Sequence, residues 1–94
     1  MDKDSILKRA ESVTFEVVAD ETILEAILID ITTGTYFSLN KVGTEFWQML
    51  DGEQTIEQHA AVIAAKYEVE PSMVVDDLLE LAGEMAKDKL FTIK

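Results

Sequence analysis

The chain has 94 residues, 48% of them hydrophobic, and a formal net charge of −11 from 19 acidic and 8 basic residues. This length and composition predict one globular domain with a modest core rather than a disordered chain. Nucleic-acid binding depends on neutralising phosphates with Lys and Arg, so the charge argues against a DNA or RNA partner. The chain has no cysteine, which excludes disulfides, thiolate nucleophiles and cysteine-based metal sites.

The sequence also predicts no membrane partner and no export. No apolar run approaches the roughly 20 residues of a membrane-spanning helix. The first four residues, Met1–Asp4, are charged and are not followed by the hydrophobic segment of a secretory signal. We therefore expect a cytoplasmic protein.

The N-terminal part of the chain is dominated by strand patterns. Residues 1–12 mix charges with two apolar residues and are expected to be a loosely held arm or a short turn preceding one domain, residues 13–94. Gly34 suits a turn that requires positive φ. Alternating apolar residues predict three strands, at Val13–Val18, Ile23–Ile31 and Thr35–Leu39.

Three helices are predicted after the strands. Asn40 caps a first helix that ends at Leu50, and Thr55 with Gln58 forms a capping box. The predicted helices are Lys41–Leu50, Ile56–Tyr67 and a third from Pro71 or Ser72 to Lys87, followed by Leu90–Ile93 as a short strand or packed tail. This order predicts an α+β fold that is winged helix-turn-helix-like, with a three-stranded antiparallel sheet followed by three helices.

The third helix has two apolar stripes, which leaves two interpretations open. The first stripe is the expected core face: Val74, Leu78, Leu81 and Met85. The second lies roughly 80° further round and consists of Val75, Leu79, Ala82 and Ala86. Either both stripes are buried, or the second is the floor of a groove in which an extended peptide adds a strand to an exposed sheet edge.

The residues needed for catalysis or cofactor binding are missing. His59 is the single histidine and has no second metal ligand four residues on, so we expect a surface or partly packed residue and no metal site. No glycine-rich phosphate loop is present. Four acids of the third helix have the spacing of a solvated face: Asp76, Asp77, Glu80 and Glu84. We expect no catalytic residues, no cofactor and no enzymatic activity.

Two segments resemble the PqqD-like family, which includes the pyrroloquinoline-quinone biosynthesis protein D and the leader-binding proteins of lasso-peptide clusters. The more specific segment contains Asp30 to Gly52 and reads LIDITTGTYFSLNKVGTEFWQMLDG. The other begins at Thr55 and reads TIEQHAAVIAAKYEVEPSMVVDDLLELAGEMAKDKLF. The resemblance extends from about Val13 to Ile93 and rests on the order and spacing of these residues.

The resemblance implies a winged-helix-like domain that binds the leader of a ribosomally synthesised, post-translationally modified precursor peptide. The leader would be added as a strand, and the protein would deliver it to a separate maturation enzyme, such as a radical-SAM enzyme or a leader peptidase. The implied strand edge is Thr35, Tyr36, Phe37, Ser38 and Leu39, and the implied helix wall is Val75, Asp76, Leu79, Ala82, Gly83 and Ala86. The alternatives are an interaction module that homodimerises through the same edge strand, a winged-helix DNA binder, which the acidic helices disfavour, and, least favoured, a small hydrolase.

Overall fold

The computed structural model describes residues 1–94 and contains six strands and three helices. Their order is β1 (Ile6–Arg9), β2 (Val13–Ala19), β3 (Leu24–Asp30), β4 (Tyr36–Leu39), α1 (Lys41–Met49), β5 (Asp51–Thr55), α2 (Ile56–Tyr67), α3 (Pro71–Lys87) and β6 (Phe91–Ile93). The strands form two antiparallel sheets in the orders β2-β3-β4 and β5-β1-β6. The predicted α+β class is confirmed.

The β2-β3-β4 sheet is the predicted three-stranded antiparallel sheet, with strand ends that differ by one residue from those expected. Ala26, Leu28 and Leu39 point from it into the core, whereas the alternate residues of β3 and β4 are more exposed. Gly34 has φ +76° in the β3–β4 turn, as the sequence predicted, and its N–H donates to the carbonyl oxygen of Asp30 at 2.7 Å. Gly34 thus lets β4 return beside β3 with no strain.

The second sheet was not predicted as a sheet, although its strand β6 confirms the short strand offered for Leu90–Ile93. The expectation of a loosely held arm is wrong for Ile6–Arg9. These residues form β1, the central strand between β5 and β6, and Leu7 is 1% exposed. The partners of β1 lie in distant parts of the chain, so no local pattern signals the pairing. Polar β5 is equally inconspicuous in the sequence. Its Gly52 has φ +75° and approaches β1 so closely that an added Cβ would lie 3.3 Å from the Lys8 side chain.

The three helices lie where the sequence places them. The Asn40 side chain accepts the N–H of Gly43 at the start of α1, and the Thr55–Gln58 capping box is formed at the start of α2. Pro71 occupies the first turn of α3. Helices α2 and α3 pack along each other, and Trp47 is fully buried, with its ring edge-on to Phe15 at 5.8 Å between centroids.

His59 is a buried residue and not the surface or partly packed one that was expected. Its side chain is 1% exposed and lies edge-on to Phe46, and neither ring nitrogen has a hydrogen-bond partner. Burial lowers the pKa of His59 below its usual 6.5, partly offset by the negative charge of Asp51. His59 lies three residues after Ile56 and four before Ile63, both buried, so the helical period places it at the core face of α2 and only its polar side chain suggested otherwise.

None of the helices combines the length and apolar content required to cross a bilayer.

Candidate functional site: a groove between a strand edge and a helix

Strand β4 is an edge strand that pairs only with β3. Two backbone hydrogen bonds of β3 show which residues of β4 bond to β3 and which point away from it. The N–H of Asp30 donates to the carbonyl oxygen of Thr35 at 3.0 Å, and the N–H of Ile31 donates to that of Ser12 at 3.0 Å. Because hydrogen-bonded pairs alternate in an antiparallel ladder, Phe37 and Leu39 exchange bonds with β3. The backbone N–H and C=O groups of Tyr36 and Ser38 therefore point away from the sheet and are available to another strand.

A groove of about 450 Å³ runs beside this edge. One wall is β4, the opposite wall is α3, and the first turn of α1 closes the base. Its lining is Phe37, Ser38, Leu39, Asn40, Val42, Gly43, Asp77, Leu78, Leu81 and Glu84. The groove thus places unpaired backbone groups beside an apolar floor, which is the arrangement that an added peptide strand requires.

Gly43 lies at the base of the groove, where α1 approaches both β4 and α3. A Cβ at this position would lie 3.1 Å from Leu39 Cδ2, 3.2 Å from Leu81 Cδ2 and 3.3 Å from Asn40 Oδ1. These separations are tighter than ordinary van der Waals contact, so a side chain at Gly43 would require the Leu39, Leu81 or Asn40 side chain to shift by a few tenths of an ångström. Asn40 fixes the same turn, because its Oδ1 accepts the N–H of Gly43 at 2.9 Å.

The strand residues expected from the sequence are at this site. Phe37, Ser38 and Leu39 line the groove, and Tyr36 contributes the backbone edge while its side chain is 70% exposed. Thr35 precedes β4, and its carbonyl oxygen is already bonded within the hairpin.

The helix wall expected from the sequence lies elsewhere on α3. None of its six residues is among those that line the groove. Ala82 is fully buried, Val75 and Leu79 are half-buried against the core, and the remaining three are exposed: Asp76, Gly83 and Ala86. The buried line of α3 runs through Val74, Leu78, Ala82 and Met85.

The groove and the expected wall lie on opposite sides of that buried line. At about 100° per residue, Leu81, Asp77 and Glu84 lie roughly 60° to 120° round the helix from Leu78 in one direction. Val75, Ala86 and Leu79 lie roughly 60° to 100° round in the other direction. Leu81 was expected in the core stripe, and both acids were expected to be solvated. The only sequence signal for their role was that they border the first stripe.

The electrostatic character of the groove is acidic. Its lining contains Asp77 and Glu84 and no basic residue. Both side chains are exposed, and the ion pairs of the molecule lie elsewhere, at Lys3–Glu57 and Lys66–Glu45. An apolar floor, unpaired backbone groups and two free carboxylates together suit the binding of a peptide strand.

A second cavity, of about 240 Å³, lies between α1 and α2. It contains Met49, Val62 and the ion pair in which Lys66 Nζ lies 2.6 Å from Glu45 Oε1. This pairing, chiefly through the hydrogen bond to Glu45, raises the pKa of Lys66. The cavity borders no unpaired strand and its charges are already matched, so the groove beside β4 is the stronger candidate.

Comparison with known proteins identifies the family of this chain. The family model described as coenzyme PQQ synthesis protein D (PqqD) matches residues 25–90, a span that includes all of β4, α1 and α3. The chain belongs to the PqqD family. The resemblance inferred from the sequence is confirmed, and no match was found among curated proteins.

A solved structure resembles this PqqD-family protein over most of its length. It is that of TbiB1 in complex with the TbiA(beta) leader peptide. The two chains are 28% identical, the TM-score is 0.73, and the match covers 89% of this chain and 93% of TbiB1. The neighbour therefore shares the fold and nearly the whole length of the chain.

Proposed function

We propose that this PqqD-family protein binds the leader segment of a ribosomally synthesised precursor peptide as a strand added to β4. The observation that carries the proposal is the free edge of β4 beside a groove with an apolar floor. The similarity to TbiB1, which was solved with a leader peptide, supports it.

The leader forms backbone hydrogen bonds with Tyr36 and Ser38, the two residues whose N–H and C=O groups point away from the sheet. Each such bond contributes about 0.5–1.5 kcal/mol net. Alternate side chains of an added strand point to the same face, so every second leader residue enters the groove against Leu78 and Leu81. Backbone pairing supplies affinity that is independent of sequence, and the groove selects the side chains.

The protein acts as a binding partner and not as a catalyst in this proposal. Holding the leader places the remainder of the precursor near a separate maturation enzyme, a radical-SAM enzyme or a leader peptidase. Such tethering raises the effective concentration of the reacting segment at the enzyme, and the tethering protein itself takes no part in the reaction.

An amide NMR titration tests the proposal. The isotope-labelled protein is titrated with the leader of the precursor peptide encoded beside its gene. We expect the largest shifts at Tyr36 to Leu39 and at Asp77, Leu78, Leu81 and Glu84. Val75, Leu79 and Ala86 serve as an internal control, because they lie on the other side of α3.

Three other outcomes would contradict this assignment. Shifts confined to the control face would move the site to the wall that the sequence suggested. No shifts at saturating peptide would refute leader binding. A doubling of molecular mass with loss of the Tyr36 and Ser38 signals in the absence of peptide would favour homodimerisation through β4.

A further inference from the structure

We propose that the groove selects leaders in which Lys or Arg flanks the apolar side chain that enters it, and that Asp77 and Glu84 are the residues that read this charge. The inference rests on the proposed function, since it describes what the same groove recognises. It assigns specificity to two residues that lie outside the helix wall expected from the sequence.

The position of the two carboxylates supports this role. Both line the groove on the same side of the buried line of α3 as Leu81. Seven residues separate them along the helix, a rise of about 10.5 Å, with Leu81 between them. They thus bracket the apolar contact instead of occupying it. Alternate groove-facing residues of a strand lie about 6.7 Å apart, so the flexible side chains of Lys or Arg on either side of an apolar residue reach both carboxylates.

The charges of Asp77 and Glu84 are not matched by the protein itself. The groove lining contains no Lys or Arg, and neither residue takes part in an ion pair. The whole chain carries a formal charge of −11. A basic segment is therefore attracted over long range and also finds two specific carboxylates at the site, whereas an acidic segment is repelled.

Helix α3 offers a matched control for the charge. Asp76 and Glu80 are exposed acids on the same helix that do not line the groove. The double variants Asp77→Asn/Glu84→Gln and Asp76→Asn/Glu80→Gln change the net charge equally. Any difference between them therefore reports on location and not on the overall field.

The experiment uses a phage-displayed library of random peptides of about 12 residues, long enough to extend beyond both ends of β4. The wild-type protein and the two double variants are the baits. We expect the wild type and the Asp76/Glu80 variant to select peptides in which Lys or Arg flanks an apolar residue. The Asp77/Glu84 variant is expected to select apolar residues without the basic ones.

Affinity for one selected peptide provides the quantitative readout. Neutralising Asp77 and Glu84 should weaken binding about two- to thirtyfold, the range expected for two exposed ion pairs. The wild-type affinity should also fall as salt is raised from roughly 50 to 500 mM, and that fall should be smaller in the Asp77/Glu84 variant. The control variant should bind nearly as tightly as the wild type.

The outcomes separate this inference from the function on which it rests. Equal weakening by the two double variants would overturn the specificity inference, because only the overall field would matter. Selection of apolar peptides with no basic residues by the wild type would overturn it as well, while leaving peptide binding intact. If no peptide that requires the β4 edge is selected, the proposed function itself fails.

Discussion

Replacing Ser38 with proline should weaken leader binding at the β4 edge while leaving the stability of the sheet nearly unchanged. The backbone of Ser38 points away from β3, so proline there removes no hydrogen bond of the β3–β4 ladder. Proline is tolerated at such edge positions, and the extended backbone that it favours at the preceding residue is already present at Phe37. We expect the free energy of unfolding of Ser38→Pro to stay within about 1 kcal/mol of the wild type.

Binding of an added strand should respond much more strongly. The substitution removes one of the two N–H donors of the free edge and leaves a peptide carbonyl without its partner. An unpaired group of this kind costs about 1–3 kcal/mol, equivalent to roughly a 5- to 150-fold loss of affinity. Anisotropy of a fluorescently labelled leader measures the affinity, and urea denaturation measures the stability.

The matched control lies on the opposite edge of the same sheet. In β2, Ser12 and every second residue after it form the hydrogen bonds to β3. Val17 falls between these residues, so its N–H also points away from β3. Val17→Pro should leave leader affinity unchanged. If Ser38→Pro folds and binds within about twofold of the wild type, well below the loss expected for one unpaired group, strand addition at β4 is refuted. If Ser38→Pro fails to fold, the hydrogen bonds can be removed from the leader instead. Leader peptides with a methylated backbone nitrogen at alternate positions then test strand addition with the wild-type protein.

Three further predictions concern stability and the expected helix wall. Leu7→Ala should lower the free energy of unfolding by about 2–5 kcal/mol in urea denaturation, because Leu7 is buried in β1, and a loss below about 1 kcal/mol would mean that the segment is a loose arm. Gly83→Ala should raise stability by about 0.5–1 kcal/mol and leave leader affinity unchanged, since a Cβ there meets no atom within 4 Å. Stability should fall as the pH drops below 6.5, because the unfolded state binds a proton at His59 that the folded state resists. His59→Leu should flatten this dependence between pH 6.5 and about 5 in thermal melts, and an unchanged slope would assign it to other groups.

Much of the fold was predictable because its signals are local. The turn at Gly34, the cap at Asn40 and the capping box at Thr55 each depend on residues within a few positions of one another. The β5-β1-β6 sheet gave no such signal. Its central strand pairs with residues near the middle and at the end of the chain, and β5 is polar throughout. Pairing of this kind depends on how the remaining elements bring the strands together.

The candidate groove also has one side that local signals predict and one side that they do not. The edge strand was predictable, because the hairpin turn and the cap at Asn40 fix the ends of β4. The side of α3 that faces β4 was not predictable. The period of α3 gives one buried line with an apolar shoulder on each side, and it does not reveal which shoulder faces β4. Leu81 and Leu79 are equivalent by that criterion, yet only Leu81 lines the groove.

The two shoulders of α3 differ in composition and not in burial. Val75, Leu79 and Leu81 are all half-buried and packed against the core, so burial does not distinguish the two shoulders. A groove that stays open for a peptide is solvated between binding events, and a mixed surface suits it better than a continuous apolar one. The shoulder that carries Leu81 between Asp77 and Glu84 has this mixed character. The proposed site therefore lies on the mixed shoulder, and the amide titration distinguishes it from the apolar shoulder that carries Leu79.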